Sequence, residues 1–356
     1  MEIVYSMCSW GLGHASRSLP IIRKLLEENH TLTCISHDRS LQLLKEELGD
    51  QVAYIDIPDY PMLISENQRQ FIAKSMVYWP VFIKRMESGL QKLTKILQHH
   101  PCDCVISDGR YDMYSKKIPS YFISHQMRIL NPLRIKMLEK GSETFNKFFF
   151  KRFKEVIIPD YKTNTLSGDL SHNLSRIDEE KLHYVGLLSD FKKRNIKKDI
   201  DFFISLSGPE PQRTMLEKKM LSQVQKLSGN VVMTLGKLEN KHEIKKDNIQ
   251  TYSYLSKDKR EEVLNRSKII ISRSGYSTIM DIATIGCKAL MIPTPGQIEQ
   301  EYLATYHHQK NSCYIVNQEQ INLVKNVEST IKTNGFPCNG SVNDTVEQVL
   351  QIVTET

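Results

Sequence analysis

Apolar residues in this chain alternate between short unbroken runs and longer stretches in which they recur at helical spacing. The run at 2–7 is followed by Gly11 and Gly13, then by Leu19, Ile22, Leu25 and Leu26. That pattern predicts a strand, a glycine loop and a helix. Strands are expected at 31–35 and 52–57, with a helix at 39–47 between them. A long helix at 66–98, interrupted at Pro80, leads to strands at 104–107, 120–124, 156–158 and 182–185. A second series has strands at 202–206, 231–235, 249–254, 268–272, 289–292 and 313–316. Its helices are expected at 212–227, 259–265, 276–284, 299–308 and 320–330, with a terminal helix at 342–353. Such alternation predicts an α/β protein with parallel sheets.

A chain of 356 residues exceeds one ordinary core and fits two domains. The boundaries expected are 1–190 and 202–340, with 191–201 as linker and 341–356 packing back across the joint. The linker assignment rests on Lys192, Lys193, Arg194, Lys197 and Lys198, which have few apolar neighbours. Hydrophobic residues at 40% and charged residues at 25% exclude a disordered chain. No apolar run is long enough to cross a membrane. The net charge of +7 permits phosphate or anionic-membrane contact without identifying either. No finger, RNP pair or repeated basic-aromatic platform is present, so nucleic acid is not an expected partner. Seven cysteines, no secretory start and no zinc spacing at Cys102 and Cys104 predict reduced thiols in the cytoplasm.

Three loops carry candidate chemistry. Gly11-Leu12-Gly13-His14 lies where a strand meets a helix, with Arg17 one turn later. Ser16 stands where the dinucleotide fingerprint needs its third glycine, which disfavours an oxidoreductase. Gly13 permits close backbone approach to a ligand, and His14 is either a general base or a packing residue. Arg17 either holds a phosphate or pairs on the helix surface. Asp108 and His125 end or follow first-domain strands: Asp108 either orients His14 or is the base, and His125 positions acceptor or phosphate.

In the second half, Arg273-Ser274-Gly275 leads from a strand into a helix carrying Ser277, Thr278 and Asp281. A pyrophosphate suits the helix start and a ribose diol suits Asp281, against the alternative of ordinary capping. Glu299 and Gln300, after Pro293-Thr294-Pro295-Gly296, suit adjacent hydroxyls. No D-x-D sequence occupies a convincing metal loop, so no metal and no cofactor beyond a donor substrate is expected.

These residues resemble the two-domain GT-B nucleotide-sugar glycosyltransferases, in particular the family 28 branch with the lipid-linked peptidoglycan N-acetylglucosaminyltransferases. Residues 11–17 resemble its acceptor-side signature, while 272–278 with Asp281 and Gly286, followed by 293–300, resemble its donor side. The resemblance implies two Rossmann-like domains facing across a cleft and inverting, metal-independent transfer from a UDP-sugar to a hydroxyl acceptor. It assigns Asp281 to the ribose and Glu299 and Gln300 to the sugar. Gly208, in the sequence Ser207-Gly208-Pro209-Glu210-Pro211, joins the donor set, although this loop is poorer in glycine than in the peptidoglycan enzymes. A nucleotide-sugar epimerase and a non-enzymatic nucleotide-sugar-binding protein are the alternatives.

Between 128 and 155, eight basic residues oppose three acidic ones, among many aliphatic residues and phenylalanines. Two readings stand: weak peripheral contact with an anionic membrane, bringing a lipid-linked acceptor to the site, or a helical pair with its aromatics in the core.

Overall fold

The computed structural model describes residues 1–60, 68–131, 133–237, 242–337 and 341–354, with backbone alone at 68–77 and 79. Residue 66, the expected start of the long helix, and Cys338 lie outside the described residues. The chain divides into two units, one of Met1–Asp190 with Ser341–Thr356 and one of Phe191–Gly340.

The first unit runs β1 (Glu2–Met7), α1 (Leu12–Glu27), β2 (Thr31–Ser36), α2 (Asp38–Leu48), β3 (Ala53–Asp56) and α3 (Gln68–His99). It continues through β4 (Cys104–Asp108), β5 (Ser120–Ile123), α4 (Lys136–Phe150), β6 (Glu155–Ile158) and β7 (Leu182–Tyr184). The strands form a parallel sheet in the order β3-β2-β1-β4-β5-β6-β7. Both faces are covered, which is why its strands read as nearly continuous apolar runs. Ile3, Tyr5 and Met7 of β1 pack with Leu19, Ile22 and Leu25 of α1 on one face. Val4 joins Ile35, Val105 and Leu93 of α3 on the other.

The second unit runs β8 (Ile200–Ser205), α5 (Gln212–Leu221), β9 (Val231–Thr234), β10 (Glu243–Lys246), β11 (Ile249–Tyr252) and α6 (Lys257–Arg266). There follow β12 (Ser267–Ser272), α7 (Tyr276–Ile285), β13 (Lys288–Met291), α8 (Ile298–Gln309), β14 (Cys313–Ile315) and α9 (Leu323–Ile331). Strand order is β10-β11-β9-β8-β12-β13-β14, parallel except for the β10–β11 pair. Ile269 and Ile271 of β12 meet Leu216 and Met220 of α5 and Leu323 and Val327 of α9.

Chain order reverses between β1 and β4 in the first sheet and between β8 and β12 in the second. At such a point the loops leaving neighbouring strands diverge to opposite faces, opening a crevice beyond the carboxyl ends. The register places Met7 beside Asp108 and Ser205 beside Ser272, so the chemically distinctive loops emerge at these two crevices.

Several elements differ from expectation. The helix α3 runs uninterrupted through Pro80, whose position is exposed, where water can satisfy a freed carbonyl. The edge strand β10 shows no alternation because every residue in it is exposed. The helix expected at 212–227 ends at Leu221, with a 3₁₀ turn at Val224–Lys226. Residues 191–199 follow the second unit: Phe191 is buried, Arg194 pairs with Glu261, and Asp199 pairs with Arg266. The terminal helix α10 (Val342–Thr354) belongs to the first unit. Its Val346, Val349, Leu350 and Val353 complete the core against α1.

Within the described residues of the basic-aromatic segment only one helix forms, α4, where a helical pair was the packing expectation. Phe149, Phe150 and Phe153 are buried, whereas Leu133, Met137, Leu138 and Phe148 are exposed, Met137 at 77%. Arg152 lies about 5 Å from the rings of Tyr114, Phe148 and Phe149 and is partly buried, so its charge is engaged with aromatic faces.

Candidate active site

In the first unit, β1 delivers the chain into the Cys8–Gly11 loop, and α1 opens at Leu12. His14 lies in its first turn, with Arg17 and Ser18 three and four residues on, hence on the same helical face. Asp108 is the last residue of β4, the neighbouring strand. The Cys8 N–H donates to the Asp108 carbonyl at 2.9 Å, which locks the two strand ends together.

The Asp108 carboxylate is the hub of a buried network. It lies 2.7 Å from His14 Nδ1 through Oδ1, and it accepts from Arg17 Nε at 2.7 Å and Ser18 Oγ at 3.0 Å through Oδ2. Arg17 Nη2 also donates to Oδ1. Asp108 is wholly buried and Arg17 is 3% exposed, whereas the His14 side chain retains 25% exposure. Burial raises the Asp108 pKa, but the Arg17 and His14 charges and hydrogen bonds outweigh it and hold the carboxyl well below the usual range. The ionised Asp108 at 2.7 Å, nearer than Arg17 Nη2 at 3.0 Å, makes His14 Nδ1 the donor and leaves Nε2 as the basic nitrogen. Arg17 Nη1 lies 3.1 Å from His125 Nδ1, which must therefore accept.

Gly109 makes room for this arrangement. Its φ is +76°, and a Cβ there would stand 2.7 Å from His14 Cε1. The imidazole thus packs where only glycine leaves space.

In the second unit, Gly208 follows β8 with φ of +111°. A Cβ on Gly208 would lie 3.7 Å from Arg273 Nε and 3.6 Å from Thr294 Oγ1. Both of those polar atoms are buried and have no hydrogen-bond partner among the described residues. Arg273 is 1% exposed, and burial lowers its pKa to about 10. Its Nη1 donates to the carbonyls of Ile292 and Pro293, and its Nη2 to that of Gln212 and to Gln318 Oε1. The guanidinium therefore ties together the loops after β12 and β13 and the start of α5.

The start of α7 is capped by Gly275 with no side-chain hydrogen bond, and its first turn carries no acidic residue. Its first-turn amides are thus suited to an anion. Ser277, Thr278 and Asp281 are partly exposed and share one helical face. Glu299 is partly exposed in the first turn of α8.

Residues 211–339 match the family model for the glycosyltransferase family 28 C-terminal domain, and residues 1–127 match that for glycosyl transferase family 1. An "uncharacterized glycosyltransferase" of Methanosarcina acetivorans is 24% identical over 322 residues, covering 86% of this chain and 81% of that protein. MurG of Acinetobacter baumannii superposes with a TM-score of 0.59 at 12% identity, covering 100% of this chain and 99% of the other. The chain is a GT-B, family 28-like glycosyltransferase.

A shorter match relates this glycosyltransferase to the UDP-N-acetylglucosamine–N-acetylmuramyl-(pentapeptide) pyrophosphoryl-undecaprenol N-acetylglucosamine transferase of Flavobacterium psychrophilum. That match is 34% identical over 80 residues, 22% of this chain and 20% of the other. The fold is also that of a putative UDP-N-acetylglucosamine 2-epimerase from Listeria monocytogenes, at a TM-score of 0.62 and 12% identity, with coverage of 100% and 97%.

Geometry shows what four of the expected contact residues hold within this glycosyltransferase. The Arg17 donors are engaged by Asp108 and His125. Arg273 is likewise turned inward, and presents only charge and Nε toward Gly208. Ser274 is buried, with its hydroxyl donating to the Gln300 carbonyl at 2.7 Å. The Gln300 amide is engaged within its own loop, accepting from the Thr294 N–H at 2.9 Å and donating to Gln297. In each case a polar residue near a strand end is needed to hold the loop itself, and spacing alone does not distinguish that task from ligand contact. Ser18, Gly109 and Thr294 were missed. The helical repeat His14, Arg17, Ser18 was the available signal for the first, whereas the other two are defined only by their neighbours in space.

Proposed function

We propose that this glycosyltransferase moves a sugar from a UDP-sugar to a hydroxyl acceptor with inversion, using His14 as general base. The observation that carries the reading is the 2.7 Å contact from His14 Nδ1 to an ionised, fully buried Asp108. The acceptor O–H proton passes to His14 Nε2 as the acceptor oxygen forms a bond to the anomeric carbon. The bond from that carbon to the diphosphate oxygen breaks, and the nucleoside diphosphate leaves with the electron pair. Asp108 orients the imidazole and stabilises its cationic form, and Arg17 keeps Asp108 ionised. Arg17 and His125 are positioning residues in this scheme.

On the donor side, the uncapped start of α7, Gly208, and the buried Arg273 charge with its unpaired Nε support a diphosphate seat. Ser277 and Thr278 add hydroxyls, Asp281 takes the ribose diol, and Glu299 selects among sugar hydroxyls. Uridine as the base is supported by the UDP-N-acetylglucosamine in the name of the Flavobacterium relative. Positive charge supplied by helix amides and Arg273 supports transfer without a divalent ion, so EDTA should leave the rate unchanged.

Exposed Leu133, Met137 and Leu138 beside exposed Lys136 and Lys140 support peripheral contact with an anionic membrane at its cytoplasmic face, and with it a lipid-linked acceptor. No helix among the described residues is long and apolar enough to cross a membrane.

The test is turnover across a panel of nucleotide sugars and acceptors, with product anomeric configuration read by NMR. His14→Ala should abolish transfer while leaving donor affinity intact. Release of an isomerised sugar nucleotide without acceptor would instead establish the epimerase reading. Stoichiometric donor binding with no turnover would establish a binding protein.

A further inference from the structure

Trp10 is 40% exposed in the β1–α1 loop, four residues before His14. Exposing so large an aromatic surface is unfavourable unless something covers it. The side chain is nevertheless held firmly. Its only polar atom, Nε1, donates to the Tyr60 carbonyl at 2.8 Å, so the surface left exposed is aromatic carbon. Its ring stands edge-on to Tyr60, with centroids 5.4 Å apart and planes at 84°.

The anchors behind it are buried and charged. Tyr60 is 2% exposed and donates its hydroxyl to the Gly109 carbonyl at 2.8 Å, directly beyond Asp108. Ser9 donates both its N–H and its hydroxyl to Asp59, the hydroxyl at 2.8 Å. Asp59 pairs at 2.7 Å with Arg110, which is wholly buried and also pairs at 2.7 Å with Asp112. The same contacts that seat Trp10 thus seat the loop around Asp108, fixing the indole relative to the His14–Asp108 pair.

A second feature shares this sheet edge. His37 and Asp56, at the ends of β2 and β3, are exposed and lie 2.6 Å apart. The first turn of α2 is tied to the glycine loop through Ser40 Oγ, which donates to the Gly11 carbonyl at 2.9 Å. The carboxyl-end edge of this sheet therefore carries a pre-fixed apolar plate after β1 and a directional polar pair at the ends of β2 and β3.

We infer that Trp10 is the platform against which a pyranose ring of the acceptor stacks, so that the acceptor is itself a glycoside. A pyranose presents C–H groups on its faces and hydroxyls around its rim. Aromatic carbon suits the former, and His37 with Asp56 suits the latter. A plain hydrocarbon chain would use the indole but leave the polar pair without a role. Because the indole is already immobile, stacking requires little ordering of the protein. The inference deepens the transferase reading and rests on it for the word acceptor, but the binding it describes is measurable without turnover.

The chain contains two tryptophans, Trp10 and Trp79, so Trp79→Phe leaves Trp10 as the only indole emitter. Titrating this variant with methyl pyranosides and short oligosaccharides should shift or quench the emission saturably for at least one glycoside. Phosphatidylglycerol vesicles and simple alcohols serve as the contrasting probes. In transfer assays with that glycoside, Trp10→Ala should raise the acceptor KM about tenfold, while the donor KM stays put. Trp10→Tyr should recover most of the loss, and Trp10→Leu should not. Silent Trp10 emission across the glycosides, or a response to vesicles alone, overturns the inference. So does equal use of glycosides by Trp10→Leu and the unaltered protein. Failure of the transferase reading shows separately, as absent turnover with every donor despite a saturable Trp10 response.

Discussion

Asp108→Asn tests the hub of the first-unit site. The substitution keeps the shape of the side chain but removes the charge that faces His14, Arg17 and Ser18. Arg17, at 3% exposure, would remain buried without its counterion. Breaking a buried pair from one side costs about 3–5 kcal/mol, far more than an exposed pair, because the remaining charge is left in a poorly solvated site. Urea denaturation should therefore show a markedly lower midpoint at an unchanged slope. Arg17→Met should cost a similar amount, by stranding Asp108. The double variant should lose less than the sum, with a coupling of about 2–3 kcal/mol.

The pH dependence supplies a second readout. The folded Asp108 pKa lies below its unfolded value, so its stabilising contribution is complete above about pH 4 and is lost as pH falls toward the folded value. The unaltered protein should lose this component on acidification, and Asp108→Asn should lack it. For catalysis, kcat should fall about 10²–10⁴-fold, because the imidazole loses both its fixed tautomer and its anionic partner. Coupling below about 0.5 kcal/mol, together with near-normal kcat, would refute the network as the basis of either stability or catalysis.

Asp281→Ala should weaken donor binding by about 1–3 kcal/mol in calorimetry while leaving the unfolding midpoint nearly unchanged. Gly109→Ala should lower stability by about 1–3 kcal/mol and reduce kcat, since it places Cβ against the His14 ring at a positive φ; thermal unfolding and kinetics check both effects. Glu299→Gln should alter the ranking of donor sugars in competition assays more than it alters affinity for the nucleoside diphosphate alone. Neutralising Lys136 and Lys140 together should reduce sedimentation with anionic vesicles, an effect that added salt should mimic.

The alternation of apolar runs determined the α/β class because buried parallel strands must be apolar on both faces, and helices packed on them must repeat at helical spacing. It also located the His14 loop, Asp108 and the α7 loop, since each follows a strand directly. Strand β10 was invisible because exposed strands show no such pattern. For α10 the expectation reached no further than packing back across the joint: its apolar stripe fits any apolar face, and only the fold presents it to α1. Tertiary structure alone decided which polar residues turn outward. The sequence places Arg17 beside His14 but does not pair it with Asp108, 91 positions away, which claims its guanidinium. Arg273 and Gln300 show the same dependence, because their loops use hydrogen bonds that local spacing offers equally to a ligand. Trp10 acquired meaning only when Tyr60, brought close by the sheet, took its N–H and left bare aromatic carbon at the edge of the site. A side chain's type is local information, whereas its availability depends on which buried donors, acceptors and charges the fold brings within reach.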